Sequence, residues 1–227
     1  NGIWKPLLDK KFGQYNERVN AGWLWARIRK RTLQLGYVKG GFQAYANALA
    51  LKCQKMGVKI YFGKEIYQAN YLNNQWQITV SLEKKETYFA DAVVSTLPTP
   101  IFTALFTALP LDYKEQLTSI PHLHALNMVI KTKEPVLDNT YWLNINDASF
   151  PFLCVVQHTN FMDKKNYGGN HLLYLGNYLP NNHEFFRMSK AELWKIYQPY
   201  VKKIGPIFKE KILISNIRLF TGYFAQP

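Results

Sequence analysis

The sequence predicts an α+β protein, in which a mixed or antiparallel sheet with flanking helices adjoins a portion of a second, parallel sheet. Three observations lead there. Stretches with apolar residues at helical spacing are interspersed with short runs rich in branched and aromatic residues. Polar turns link several of those runs, as in a meander. One run, AVVST at 92–96, is apolar in character, as expected of a strand covered on both faces.

Taken in order, NERVNAGWLWARIRKRTL (16–33) puts Val19, Trp23, Ala26 and Arg27 near one helical face and ends in basic residues that suit a helix C-terminus. After LGYVKGG, the segment 42–57 sets Phe42, Tyr45, Ala46, Leu49 and Cys53 at helical spacing before Gly57 stops it. VKIYFG then predicts a strand at 58–62. EIYQANYL, NNQWQITVSL and ETYFA read as a ribbon with turns at Asn73-Asn74 and Glu83-Lys84-Lys85. Two short helices, split by Leu109-Pro110, occupy 99–120. HALNMVIKTKEP, YWLNIND, FPFLCVVQHTNF and HLLYLGNYL alternate or run apolar, predicting an antiparallel sheet. Ser189 with Glu192 forms a capping box, Leu193, Ile196 and Tyr197 supply the apolar face, and Gly205-Pro206 ends that helix. ILISNIRLFTGYFAQP reads as a closing strand.

Composition narrows the class. The 227 residues are 48% hydrophobic, enough for one substantial core or two smaller ones. The apolar stretch 93–110 is broken by Pro98, Pro100 and Pro110, so no membrane span is expected. The opening NGIWKPLLDKKFG lacks the layout of a signal peptide, and with Asn1 as first residue the gene product is expected to begin upstream. Cys53 and Cys154 are far apart and without ligand spacing, which predicts buried thiols in a reducing cytoplasm. The net charge of +13, densest at Arg27, Arg29, Lys30 and Arg31, reads as solvated faces of a basic chain, with an anionic membrane surface as a peripheral partner to be weighed. No nucleic-acid partner is expected.

No nucleophile elbow, phosphate-binding P-loop, zinc-protease motif or GxGxxG is present, so no local motif assigns catalysis and the catalytic residues stay unknown. His122 and His124 share a strand face but have no third ligand nearby, and no metal is expected. His158 and His171 flank a loop containing Asp163, an arrangement that either converges on a pocket or caps two strand ends.

The run YVKGGFQAYANALALKCQKMGVKIYFGKEI, followed by DAVVSTLPTP, resembles the middle of the flavin-containing amine oxidoreductase superfamily, which includes phytoene desaturases, protoporphyrinogen oxidases and UDP-galactopyranose mutase. SIPHLHALNMVIKTKEPVLDNTYWLN extends the resemblance, which covers most of residues 35–145. It implies FAD as the cofactor of the full-length protein, with Gly40, Gly41, Ile66, Thr96, Leu97 and Pro98 near its adenine side. A glycine pair permits close backbone approach, and a doubly buried strand suits a Rossmann-like sheet. It further implies a substrate domain at 1–35 and 99–215 and partial FAD-domain elements at 36–98 and 216–227.

The family's GxGxxG and its C-terminal flavin segment fall outside this sequence, so the chain alone is expected to hold FAD weakly or not at all and to be inactive. Counting back from Lys133-Glu134-Pro135, the position where amine oxidases of this family carry a lysine falls on Asn127. The expected activity is flavin oxidation of a C–H or C–N bond in a small molecule. A UDP-sugar mutase using Arg27, Arg31 or Arg218, and a non-catalytic basic docking module, are the alternatives. Asn127, Trp142, His158 and Tyr174 are the substrate-pocket candidates. The remainder of the FAD domain is an expected partner, and apolar surface around Val93 and Val94 predicts pairing between copies.

Overall fold

The computed structural model describes residues 4–32, 34–80, 86–205 and 214–226, and these divide into two compact units, 1–33 with 122–227 and 34–121. The predicted α+β class is observed. Each unit carries its own antiparallel sheet.

The larger unit is built on a five-stranded antiparallel sheet of order β5-β6-β7-β4-β8. Its strands are β4 (Leu123–Thr132), β5 (Trp142–Asn144), β6 (Cys154–Gln157), β7 (His171–Leu179) and β8 (Ile214–Gln226). β4 lies in the middle, with Val129 opposite Tyr174 of β7 on one side and Arg218 of β8 on the other. Because side chains alternate along a strand, Leu126, Met128 and Ile130 fall on one face with Leu173 and Leu175. Against that face packs α6 (Lys190–Ile204) through Leu193, Tyr197 and Val201, all buried. Full burial of each such side chain contributes about 1.5–3 kcal/mol. The expected capping box is formed: Ser189 Oγ accepts from Glu192 N, and Glu192 Oε2 accepts from Ser189 N at 2.8 Å. Asn177 Nδ2 ties sheet to helix by donating to Tyr197 Oη at 3.0 Å and to Pro151 O at 2.7 Å. Burial pushes the Tyr197 phenol up, so it stays protonated.

Before β4 in the chain, α1 (Trp4–Phe12) leads through a 3₁₀ turn at Gly13–Arg18 into α2 (Ala21–Arg29). The single helix expected over 16–33 is therefore corrected. Asn20 interrupts it, its side chain accepting from Gly22 N at 2.7 Å and starting α2 afresh.

The smaller unit holds the meander β1 (Ile66–Leu72), β2 (Gln75–Val80) and β3 (Glu86–Ala90), with α3 (Gly41–Lys55), α4 (Thr99–Leu105) and α5 (Leu111–Thr118). Asn73 and Asn74, both at positive φ, make the first turn as their residue type predicts. The second turn, Glu83-Lys84-Lys85, lies outside the described residues. Two expectations are corrected here. Neither 58–62 nor 92–96 forms a strand, because neither has a ladder partner among the described residues. Nor is the second segment doubly covered: Val94 is 91% exposed. The apolar stripe of α3 is likewise uncovered, with Phe42, Tyr45 and Leu49 all exposed.

The two units cut the chain at different places from the sequence-based boundaries. Segment 99–121 clusters with the smaller unit and 216–226 is part of β8, paired along β4. Among the described residues no helix is long and apolar enough to cross a membrane.

Candidate functional site

The sheet face opposite α6 is the candidate site. Strand alternation puts Asn127 of β4, Gly176 of β7 and Cys154 of β6 in one row across it, since Asn127 pairs with Gly176 and Gly176 with Cys154. A β-carbon built on Gly176 would lie 2.9 Å from both Asn127 Oδ1 and Cys154 Sγ. Two polar side chains therefore converge over the one position in the row that has none. Burial pushes the Cys154 thiol up to about 11, against small opposing effects from the Gly176 backbone and Lys11, so at neutral pH it is a protonated, poorly nucleophilic group.

A second row, one residue pair along, carries Trp142, Val156, Tyr174 and Val129 on the same face. Three of the four pocket candidates, Asn127, Trp142 and Tyr174, thus share this face. His158 is placed differently. It is buried in the 3₁₀ turn after β6, its ring edge-on to Tyr174 at 5.6 Å and its Nε2 hydrogen-bonded to Tyr167 Oη at 2.5 Å. Burial lowers its pKa, which keeps it neutral and makes it a support for Tyr174. His171 meets Thr159 Oγ1 at 3.0 Å, and Asp163 accepts from Lys165 N at 2.9 Å to cap the loop. Both rings are thus held by side-chain partners, Tyr167 and Thr159, while Asp163 caps the 3₁₀ turn Lys164–Tyr167.

Sequence reasoning missed Lys11. From the last turn of α1, its ammonium lies 4.7 Å from the Tyr178 ring centroid, 5.6 Å from Phe12 and 5.7 Å from Trp23. Tyr178 is on β7 two residues beyond Gly176, hence on the same face. Desolvation lowers the Lys11 pKa, the Arg27 guanidinium lowers it further, and the Cys154 thiol opposes slightly. The available signal was Leu8 and Phe12 at i, i+4, which make α1 amphipathic and turn its final residues toward the sheet. Neighbouring Lys10 is used structurally, donating to the carbonyls of Asp147 at 2.5 Å and Phe150 at 2.9 Å.

His122 and His124 both meet aromatic rings. His124 is buried in a cluster with Phe186, Tyr223 and Phe224, and His122 stacks edge-on to Phe224. Among the described residues no group of three His, Cys, Asp or Glu side chains is placed to hold a metal.

In the smaller unit, Gly40 caps α3 at φ +87°, and Gly41 follows at φ +82°. A β-carbon on Gly40 would press Ala44 at 3.0 Å, so the backbone conformation and the tight turn both call for glycine. Ile66 opens β1, opposite Val80, and Pro98 is the N-cap of α4. Leu97 borders an open cleft of about 330 Å³ lined also by Trp76, Phe102, Phe106, Tyr113 and Leu117, with Thr96 exposed beside it. Gly40, Ile66, Thr96 and Leu97 are all exposed, and Gly41 and Pro98 are partly so. They offer apolar side chains and backbone groups. They supply no cation for a pyrophosphate.

The fold recurs in solved structures. An oxidoreductase from Methanosarcina mazei matches at TM-score 0.63 and 18% identity, over 80% of this chain and 42% of that one. Reduced UDP-galactopyranose mutase matches at TM-score 0.66 and 15% identity, over 96% and 51%. A putrescine oxidase double mutant matches at TM-score 0.58 and 13% identity, over 79% and 38%. The chain therefore spans about half the length of these proteins or less, and at such identities the likeness shows the fold alone. No curated protein matches the sequence. The sequence does match, over residues 7–216, the family described as flavin containing amine oxidoreductase, and the chain belongs to that family.

Proposed function

We propose that this chain supplies the substrate domain, and a partial edge of the FAD domain, of a longer FAD-dependent oxidoreductase that oxidises a C–H or C–N bond of a small molecule. The observation that carries the reading is the sheet face opposite α6. It sets Trp142, Val156, Val129, Tyr174 and Tyr178 beside the convergent polar groups of Asn127 and Cys154, the mix of apolar walls and placed polar groups that a small-molecule site requires. Family membership and the chain's coverage of about half of its structural relatives support the division of labour.

When bound, the flavin would supply the redox chemistry by taking two electrons from the substrate. This chain's own groups bind and orient. Trp142 and Tyr174 give flat apolar walls that displace water, and His158 steadies Tyr174 from behind. Asn127 offers an amide where amine oxidases of this family carry a lysine. An amide both donates and accepts hydrogen bonds without titrating, so it orients a group and does not shuttle a proton. In the smaller unit, Gly40, Gly41, Ile66, Thr96, Leu97 and Pro98 are the residues proposed to lie along the adenine side.

The test is cofactor uptake by the longer gene product. It is expected to purify with flavin absorbance, or to acquire it when FAD is added, and to lose that absorbance as an added oxidisable substrate reduces the ring. A colourless protein that takes up no FAD overturns the proposal. UDP-sugars assayed alongside separate the mutase reading, which requires Arg27, Arg31 or Arg218 to clamp a pyrophosphate.

A further inference from the structure

None of the five strands of the larger sheet contains Asp or Glu. The face opposite α6 does carry cations: Arg218 pairs with Val129 there, and Lys11 reaches over it from α1. Lys11 is half-buried among three aromatic rings and has no ion-pair partner among the described residues. The acid of its own helix, Asp9, is engaged elsewhere, by Lys5 at 2.7 Å and Asn16 at 2.5 Å. Arg27 of α2 lies 5.3 Å from the Trp23 ring, the same indole that Lys11 approaches.

Two like charges are thus gathered on one indole at the rim of an aromatic face. Among the described residues that arrangement has no ion-paired counter-charge. Ring faces stabilise ammonium and guanidinium groups only in part, by about 0.5–2 kcal/mol each.

We propose that Lys11 and Arg27 form an anion-binding subsite that takes the carboxylate of a substrate whose aromatic or apolar body lies against Tyr178 and Tyr174. The assignment rests on the reading of this face as a substrate surface and adds the substrate's charge to it. A carboxylate matches the three donors of Lys11 and the planar fork of Arg27. The adjoining rings accept a flat apolar body. A cationic amine, by contrast, would meet two like charges. The depressed pKa of Lys11, due first to desolvation and then to Arg27, agrees with a site completed by an anion.

The experiment needs no flavin. Benzoate and benzylamine, similar in shape and opposite in charge, are titrated into the 227-residue chain and followed by ligand-observed NMR or calorimetry. Benzoate is expected to bind at least about tenfold tighter than benzylamine, a difference of about 1.4 kcal/mol. Lys11→Gln should remove most of that preference, and Lys11→Glu should reverse it. Arg27→Gln, at an exposed position, should weaken benzoate severalfold. Arg29→Gln lowers the net charge equally but away from the rings, and should change nothing. The proposal is overturned if wild type shows no preference for benzoate, if Lys11→Gln binds it as wild type does, or if Arg29→Gln is as damaging as Arg27→Gln. Flavin uptake is read separately on the longer gene product. A colourless protein with intact benzoate selectivity would sink the oxidoreductase reading and leave the subsite standing.

Discussion

Lys11 is the residue at which binding and stability pull in opposite directions. Its ammonium is half-desolvated among the Phe12, Trp23 and Tyr178 rings with Arg27 adding repulsion, so folding lowers its pKa. For a lysine with a lowered folded-state pKa, the unfolded chain holds more protons between the folded and the ordinary values. Stability therefore rises with pH through that window, and the cost of the buried charge is fully present below it. Lys11→Met keeps the apolar stem and removes the charge. At neutral pH it should raise the thermal midpoint slightly, by no more than about 4 °C, since partial exposure screens the penalty to about 1 kcal/mol or less. Wild type and variant should converge in stability as pH climbs past the ordinary lysine range. A lower midpoint in Lys11→Met would mean that the ring contacts outweigh desolvation. Such a residue is hard to read from sequence, where KKFG is one of several lysine-bearing runs and nothing local separates Lys10, which bonds two carbonyls, from Lys11, which faces the sheet.

Elements whose cause is local were legible. The α6 capping box needs only Ser189 and Glu192, and the first hairpin turn only its two asparagines, so both appear where the residues predict them. Strands β4 to β7 were legible through alternation, which also brought Asn127, Trp142 and Tyr174 onto one face. The segments 58–62 and 92–96 failed for a nonlocal reason. A strand exists only as part of a ladder, and β propensity in VKIYFG or AVVST cannot supply the partner. Gly176 was not legible either, because its meaning depends on Asn127 and Cys154 arriving from the two neighbouring strands. Gly176→Ala should force a methyl to within 2.9 Å of both, an overpacking that costs about 1–3 kcal/mol. Chemical denaturation measures the loss. Pairing it with Cys154→Ala should recover part of the stability by removing one of the clashing atoms, whereas an additive double variant would show that the strain lies in the backbone.

At the scale of the molecule the two units differ in how well their apolar surface is used. The larger unit buries a continuous cluster between sheet and α6. The smaller one leaves large side chains open, with Val94 at 91%, Phe62 at 78%, Met56 at 73% and Phe42 at 66% exposure. These residues come from α3, from the segment after it and from 92–96, the regions whose family resemblance implies further layers of a cofactor domain. Single exposed apolar residues are ordinary, but a run of them across neighbouring segments marks a surface that another layer or another chain covers. The isolated 227-residue chain is therefore expected to self-associate, with a scattering mass that rises with concentration. Val94→Asp combined with Phe62→Asp should return it to a monomer without lowering the stability of the larger unit, because neither side chain is buried. A chain that also carries the proposed FAD domain, which would cover the same residues, should show no such rise. A concentration-independent monomer for the unaltered chain would contradict the idea that this surface is an unfilled layer, and association undiminished by the two aspartates would place the contact elsewhere.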